Sequence, residues 1–132
     1  MIEENEKRVR AFYDATVPGH REALWSLQVP HVVYDLPAGM PVGGGHFEGL
    51  LDVTERFLAR FYEAFDVRFV AEEFITAGEQ VVAIGRISGT TRSTAVPVDV
   101  PFVHVWTVRD GRLQRLRGFT DTAVLAQALA ER

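Results

Sequence analysis

The sequence predicts an α+β domain in which helices cover one face of a curved antiparallel sheet. Three observations support this class. Amphipathic helical patterns stand in the first half of the chain and at its end, apart from the strands. Four long strands rich in β-branched and aromatic residues follow one another through short turns, as antiparallel strands do. Gly85, Gly89 and Gly118 interrupt these strands where a long, twisted sheet can bend or bulge. A curled sheet that helices close off leaves a conical cavity.

The composition is that of an ordinary globular protein of 132 residues, which we predict to fold as a single domain over residues 1–132. The net charge of −4 argues against a nucleic-acid partner, which requires a basic face. No apolar run approaches the ~18 residues of a membrane span, so no membrane association is expected. Residues 1–10 are charged with no apolar segment behind them, unlike a signal peptide, and the chain has no cysteine. These features fit a cytoplasmic protein.

Helical patterns open the chain. Residues 4–15 predict an amphipathic helix whose apolar stripe includes Phe12 and Tyr13, and Pro18-Gly19 is expected to end it. Residues 21–27 predict a second, short helix. Two short helices joined by a tight turn form a helical hairpin.

The middle of the chain predicts a strand, a loop and a longer helix. The strand, residues 31–36, is expected at an edge of the sheet because Pro30 and Pro37 bracket it. Residues 38–45 form a loop rich in Gly and Pro, which we expect to be a mobile rim. The helix, residues 51–65, carries an aromatic stripe that is typical of a core-facing surface, one edge of which can also line a pocket. The stripe comprises Phe57, Leu58, Phe61, Tyr62 and Phe65.

The chain ends in a predicted hairpin followed by a short helix. Strands are predicted over residues 101–109 and 112–120, and Asp110-Gly111 can adopt the positive φ angles of a two-residue turn. Asp121 stands at the end of the second strand, where an apolar helical pattern begins. As the helix N-cap it would accept backbone N–H groups. Buried among aromatic rings, it would instead have a raised pKa and act as a general base. Both interpretations remain open.

Three stretches resemble the SnoaL-like group of the nuclear transport factor 2-like superfamily. They are the opening helix, the segment VVYDLPAG followed by GGHFEGLLDVTERFL, and the ending VHVWTVRDGRLQRLRGFTDTAVLAQAL. The resemblance implies a cone-shaped, curved antiparallel sheet with helices packed on its concave face, in a cystatin-like arrangement, and a dimer formed through the outer sheet face. Members of the superfamily include ketosteroid isomerases, limonene-epoxide hydrolases, polyketide cyclases, scytalone dehydratases and non-catalytic binding domains, so the fold does not settle the function.

The resemblance also indicates positions for catalytic groups. Ketosteroid isomerases have a general-base Asp where Asp35 stands, but their oxyanion-hole donors fall at Phe12 and Val103, which cannot donate hydrogen bonds. Epoxide hydrolases and SnoaL-like cyclases place an acidic residue at the end of the last strand, where Asp121 stands. Arg86 is the candidate for the arginine of the hydrolases, although a serine replaces the second acid of their network.

Each of these candidates also has a structural interpretation. Arg86 lies in a strand pattern and is either exposed or paired with Asp121 across the cavity. His104 alternates with apolar residues and is either a hydrogen-bonded core or interface residue or a catalytic group. Tyr34 and Asp35 lie on opposite strand faces, so at most one of them points inward.

We predict a cofactor-free SnoaL-like protein with a hydrophobic pocket for a small hydrophobic molecule. It would be an isomerase, cyclase or hydrolase with Asp121 as base and Arg86 or His104 assisting, or a non-catalytic ligand-binding or dimerisation module. A homodimer is expected. The spacings of histidines and acids form no familiar metal set, so no metal is expected. The predicted pocket lining is Phe12, Tyr13, Trp25, Tyr34, Phe57, Phe61, Trp106 and Phe119.

Overall fold

The computed structural model of the chain describes residues 2–16 and 21–131. The predicted helices and strands are all present to within a few residues at each end, whereas the predicted helix stop at Pro18-Gly19 lies outside the described residues. In these ranges the helices are α1 (Ile2–Asp14), α2 (Arg21–Ser26), α3 (residues 50–64) and α4 (Thr122–Ala130). The strands are β1 (Gln28–Leu36), β2 (Gly45–Glu48), β3 (Phe65–Ala77), β4 (Gln80–Thr91), β5 (Pro97–Arg109) and β6 (Arg112–Thr120).

Helix α3 has a widened central part. It begins with the α-helical residues Leu50–Asp52, continues as a π-helix over Val53–Leu58 and returns to α-helix over Ala59–Ala64. Such π-helical stretches are rare and occur frequently at functional sites. The aromatic stripe predicted for this helix does face the core, because Phe57 and Phe61 are both buried.

The six strands form one sheet in the order β2-β1-β6-β5-β4-β3. Strands β3 to β6 are antiparallel, as predicted, while β1 pairs with β6 in parallel. The prediction that β1 lies at a sheet edge is wrong, because β2 pairs with its other side. The register of β1 against β6 shifts between Gln28 and Val33, and Pro30 lies within this irregular stretch. Proline is tolerated there because its missing N–H does not remove a hydrogen bond of the regular strand pairing. The four residues of β2 were not predicted.

The hairpin at the end of the chain is confirmed. Arg109 pairs with Arg112, which leaves a two-residue connection. Asp110 has φ 53° and Gly111 has φ 75°, the two positive angles that such a turn requires.

Two of the three glycines that were expected to bend the sheet lie in close contact with the neighbouring strand. A bulge between Ala71 and Glu73 of β3 faces Gly85 of β4. A Cβ atom on Gly85 would collide with the carbonyl of Val70, and one on Gly89 would collide with the carbonyl of Asp66. Because these two glycines have no side chain, the backbone of β3 can approach the backbone of β4 closely. This close approach allows the sheet to curve.

The core lies between the concave face of the sheet and helices α1 and α3. Strand β5 shows the alternation most clearly, since its inward residues from Val98 to Val108 are buried and their neighbours are at least partly exposed. Tyr13 of α1 stacks on Phe102, and Phe61 of α3 packs on Phe65 and Phe69. Over the described residues, none of the helices has the length and apolar character needed to cross a membrane.

Candidate functional site

A cavity of about 530 Å³ lies where α1 and α2 meet α3 and the first residues of β3. Most of its wall is apolar. The charged residues of the lining belong to α2, to β3 and to the segment that follows β4. The lining residues are Phe12, Thr16, Arg21, Leu24, Trp25, Gln28, Leu50, Val53, Thr54, Leu58, Ala59, Tyr62, Asp66, Val67, Arg68 and Arg92.

The π-helical stretch of α3 supplies part of this wall and holds α2 in place. Its residues Val53, Thr54 and Leu58 line the cavity. The indole Nε1 of Trp25 donates to Thr54 Oγ1 at 2.9 Å, and that hydroxyl donates to the carbonyl of Leu50 at 2.7 Å. The position of the short helix α2 therefore depends on a polar contact with the widened part of α3.

Polar side chains in the wall are largely bonded to the protein itself. Gln28 Nε2 donates to the carbonyl of Leu24 at 2.9 Å, and its Oε1 accepts from the Tyr34 hydroxyl at 2.6 Å. The phenol of Tyr62 is neutral near pH 7, and burial raises its pKa further, to about 12. With these groups neutral or bonded, the inner wall presents mainly hydrocarbon and aromatic surface.

Two of the eight residues predicted to line a pocket line this cavity, namely Phe12 and Trp25. Five others belong to the buried core and not to the cavity wall, because the helices press these rings directly onto the concave sheet: Tyr13, Tyr34, Phe57, Phe61 and Trp106. The prediction for Phe119 is wrong. It pairs with Val103 on the outer face and is 53% exposed, since Gly118 takes the inward position between its neighbours.

Asp121 caps helix α4 and does not face the cavity. Its side chain is exposed and accepts a hydrogen bond from the backbone N–H of Val124 at 3.2 Å. Of the two interpretations of Asp121 that the sequence left open, this is the helix N-cap. The placement of its carboxylate in an apolar pocket is not found, because the backbone N–H groups at the start of α4 hold it at the surface.

Arg86 lies on the outer face of the sheet. Its Nε donates to Asp99 Oδ1 at 2.6 Å, and the carboxylate raises the pKa of this guanidinium while the guanidinium lowers the pKa of Asp99. The predicted pairing of Arg86 with Asp121 is therefore wrong. Alternation along β4 turns this side chain away from the concave face, as its exposed interpretation implied.

His104 is in the core, 8% exposed, and takes part in a buried hydrogen-bonded chain. Trp106 Nε1 donates to the Tyr13 hydroxyl at 3.0 Å, and that hydroxyl lies 2.6 Å from His104 Nδ1. Because the phenol oxygen already accepts from Trp106, its proton is best donated to Nδ1 of a neutral imidazole. Burial lowers the pKa of His104 to about 3, which keeps the ring neutral. His104 is not part of the cavity lining.

Tyr34 faces the core and Asp35 faces outward, in agreement with the prediction that at most one of the two points inward. The Asp35 carboxylate accepts from Arg115 Nη2 at 2.7 Å and lies 2.6 Å from His46 Nδ1. The His46 bond, followed by Arg115, lowers the pKa of Asp35, and Asp35 in turn raises the pKa of His46. Asp35, which corresponds to the general base of ketosteroid isomerases, therefore lies on the face of the sheet that points away from the cavity.

The charged residues of the cavity were missed by the sequence analysis. They are Arg21, Asp66, Arg68 and Arg92, which stand at a helix start, in a strand and in a loop and have the pattern of ordinary surface charges. No spacing in the sequence indicates that they meet. Among the described residues, no group of three or more His, Asp or Glu side chains is placed to hold a metal ion.

Comparisons with known proteins agree with this architecture. The family model of SnoaL-like domains matches residues 9–116. The chain is similar to TerC, whose crystals were grown with polyporic acid, at 28% identity over 97% of this chain and 99% of that chain, with a TM-score of 0.88. It is similar to a nuclear transport factor 2-like protein of unknown function from Burkholderia pseudomallei K96243 at 27% identity, over 97% and 98% of the chains, with a TM-score of 0.88.

A more distant structure shows the same fold alone. It is a candidate SnoaL-like polyketide cyclase from Jannaschia sp. CCS1, 22% identical over 98% of this chain and 94% of that chain, with a TM-score of 0.81. None of the curated proteins matches this sequence. Since the family model covers most of the chain, the protein belongs to the SnoaL-like domain family, with the nuclear transport factor 2-like fold.

Proposed function

We propose that this SnoaL-like protein binds a small, largely apolar organic molecule in the cavity between α2, α3 and β3. The observation that carries the proposal is the cavity itself. Its volume of about 530 Å³ falls within the range of about 300–1,000 Å³ that is usual for ligand sites. Its wall is mainly apolar with a small number of polar and charged groups among the lining residues, a combination that is typical of ligand sites.

The polar side chains of the wall are hydrogen-bonded within the protein, which favours an apolar ligand. Thr54 and Gln28 are not free to bind a polar ligand, because each already has its own hydrogen-bond partners within the protein. What the guest meets instead is the ring of Trp25 and the aliphatic side chains of Val53 and Leu58. Burying apolar surface against such groups contributes roughly 25 cal/mol per Å².

The similarity to TerC supports a small-molecule ligand, because that protein was co-crystallised with polyporic acid. Catalysis by an aspartate base receives less support from the geometry. Asp121 caps α4, and the carboxylate among the cavity residues is Asp66, which is exposed and lies 3.9 Å from Arg92. We therefore propose ligand binding as the function and make no proton-transfer step part of it.

The test is a fluorescence titration with the neutral, apolar probe N-phenyl-1-naphthylamine. Ala59 lines the cavity at an exposed helix position, so Ala59→Trp fills the cavity without disturbing the core. Its matched control is Ala126→Trp, the same change at an exposed position of α4. We expect Ala59→Trp to weaken binding about tenfold or more, since the guest loses its buried contacts. Equal affinities of the two variants would refute the proposal.

We also propose that two copies of the chain associate through the outer face of the sheet. This face exposes Phe119, Ile75 and Val70, each about half accessible. Acidic Glu73 lies near one side of the face and basic Arg117 near the other, so a twofold arrangement brings opposite charges together. Exposed apolar residues clustered on one surface are typical of interfaces.

Light scattering with size-exclusion chromatography tests the association. Phe119→Glu is expected to convert a dimer into a monomer, because it places a charge in the apolar patch. Leu51→Glu is the matched control, since Leu51 is equally exposed but lies on α3, outside this face. A monomeric wild-type protein at micromolar concentration would contradict the association.

A further inference from the structure

We infer that the ligand of the cavity is an amphipathic organic acid, whose anionic group binds to an arginine rim formed by Arg21 and Arg92. This inference rests on the proposed function and adds the chemical class of the ligand. The apolar body would lie against the inner wall, and the carboxylate, sulfonate or other anionic group would face the two guanidinium groups.

The charge balance of the lining is the first observation. Arg21 and Arg92 line the cavity against one carboxylate, Asp66. Arg68 is also part of the lining, but it alternates with the buried Val67, so its side chain points to the outer face of the sheet, as that of Val70 does. The protein as a whole carries a net charge of −4, so this concentration of positive charge is a local feature. In a partly enclosed, apolar site, a charge of this sign attracts an anion more strongly than it would in open water.

Arg92 is held in a fixed orientation by the backbone. Its Nε donates to the carbonyl of Tyr62 at 2.8 Å, and its Nη2 donates to the carbonyl of Phe65 at 3.4 Å. A guanidinium has five N–H donors, so these two bonds leave others for a ligand. Its ion pair with Asp66, at 3.9 Å, is too long for a hydrogen bond and does not occupy those donors. A fixed planar guanidinium suits an anion with two oxygens.

Arg21, the first residue of α2, is positioned by an aromatic residue of the cavity wall. Its guanidinium carbon lies 4.6 Å from the centre of the Trp25 ring, a cation–π contact with a residue of the cavity wall. Stacking occupies the flat face of the guanidinium and leaves its N–H edge accessible. The rim therefore joins an aromatic surface to a hydrogen-bonding edge, which matches a ligand with an aromatic body and an acidic group.

The remaining polar groups of the wall do not offer an alternative position for a charged group. Thr54 and Gln28 already have partners within the protein. The phenol of Tyr62 is neutral near pH 7 at the ordinary pKa of this group, which burial raises further, so it adds no negative charge that would oppose an anion. The acidic group of a ligand is therefore best stabilised at the arginine rim.

Two fluorescent probes with the same ring skeleton test this inference. The compound 8-anilinonaphthalene-1-sulfonate carries a sulfonate, and N-phenyl-1-naphthylamine is its neutral counterpart. We expect the wild-type protein to bind the sulfonate about tenfold more tightly than the neutral probe, because charge-assisted hydrogen bonds form only with the former. Raising the salt concentration to about 0.5 M should weaken only the sulfonate complex.

Removal of a rim charge should act on one probe alone. The variant Arg21→Gln changes an exposed side chain and should lower the affinity for the sulfonate severalfold, towards that of the neutral probe. The control Arg8→Gln removes the same charge at an exposed position outside the cavity and should leave both affinities unchanged.

The outcomes separate this inference from the proposed function. Equal binding of the two probes, with no effect of the rim variant, overturns the acidic ligand and leaves the apolar cavity site intact. Probe binding that is insensitive to Ala59→Trp instead overturns the cavity site. A loss of sulfonate binding in the control variant as large as in the rim variant would mean that net charge, and not the rim, attracts the probe.

Discussion

Trp25 Nε1 lies 2.9 Å from Thr54 Oγ1, and this hydrogen bond joins α2 to the π-helical part of α3 across the cavity wall. None of the six residues of α2 is fully buried, so few apolar contacts hold this helix. The position of α2, and with it the shape of the cavity, therefore depends strongly on this bond and on the one from Gln28 Nε2 to the carbonyl of Leu24. A short helix held in this way is expected to open more easily than the sheet.

Replacement of Thr54 tests that dependence. Thr54→Val keeps the shape of the side chain but leaves the indole N–H of Trp25 without its acceptor, whereas Thr54→Ser keeps the hydroxyl. We expect the valine variant to lose about 0.5–1.5 kcal/mol of unfolding free energy. It should also bind N-phenyl-1-naphthylamine more weakly, because α2 is less firmly placed. Urea unfolding and titration measure both effects, and a serine variant as impaired as the valine variant would contradict this explanation.

The buried chain of Trp106, Tyr13 and His104 should contribute to stability and not to binding. Tyr13→Phe leaves the indole N–H of Trp106 and Nδ1 of His104 without a partner in the core. We expect a loss of about 1–3 kcal/mol in the free energy of unfolding by urea. The control Tyr62→Phe removes a hydroxyl for which the described residues provide no hydrogen-bond partner, and it should cost less. Equal losses in the two variants would contradict this assignment.

His104 should make the stability depend on pH in the mildly acidic range. Its pKa is lowered from 6.5 to about 3 in the folded protein by burial, so the unfolded chain binds a proton that the folded chain does not. The contribution is complete above about pH 6.5 and is lost as the pH falls towards 3. The expected slope is at most about 1.4 kcal/mol per pH unit.

Urea unfolding of the wild type and of His104→Gln between about pH 7 and pH 5 measures this contribution, because the difference between the two proteins isolates His104. Gln can accept the hydrogen bond of the Tyr13 hydroxyl but does not titrate. The variant should therefore show a flatter pH dependence than the wild type. Parallel curves would show that His104 titrates in the folded protein much as it does in the unfolded chain.

Asp121 should stabilise the protein by capping the first turn of α4. Asp121→Ala is expected to lower the free energy of unfolding by about 1 kcal/mol, whereas Asp121→Asn, which also caps helices well, should change it little. Neither variant should alter the affinity for N-phenyl-1-naphthylamine. Weaker probe binding by the asparagine variant, with its stability intact, would place the carboxylate at the ligand site and would revive the general-base interpretation.

Local patterns were sufficient to predict most of the fold. The Asp110-Gly111 turn, the alternation of β5 and the helical stripe through Phe57 and Phe61 each express a preference that a few neighbouring residues determine. Strand β2 was missed because four residues next to a run of glycines carry little periodicity. The edge position of β1 was misjudged for the same reason, since β2 is the strand that covers it.

The candidate site was harder to predict because its residues come together only in the folded chain. Arg21, Arg68 and Arg92 are separated by long stretches of sequence, and each has the pattern of a solvated surface charge. For the aromatic residues the error was the opposite one, because too many of them were predicted to line the cavity. Rings such as Phe57 were expected to line a pocket, but the sequence does not reveal which side of a buried helix touches another element and which side faces a void.

The central claim is that a small molecule occupies the cavity between α2, α3 and β3. A crystal structure of the protein with bound N-phenyl-1-naphthylamine tests it most directly. The account predicts density for the probe beside Trp25 and Val53, with α2 and α3 in the arrangement described above. Density for the probe at the outer face of the sheet instead, with the cavity filled by protein side chains, would contradict it.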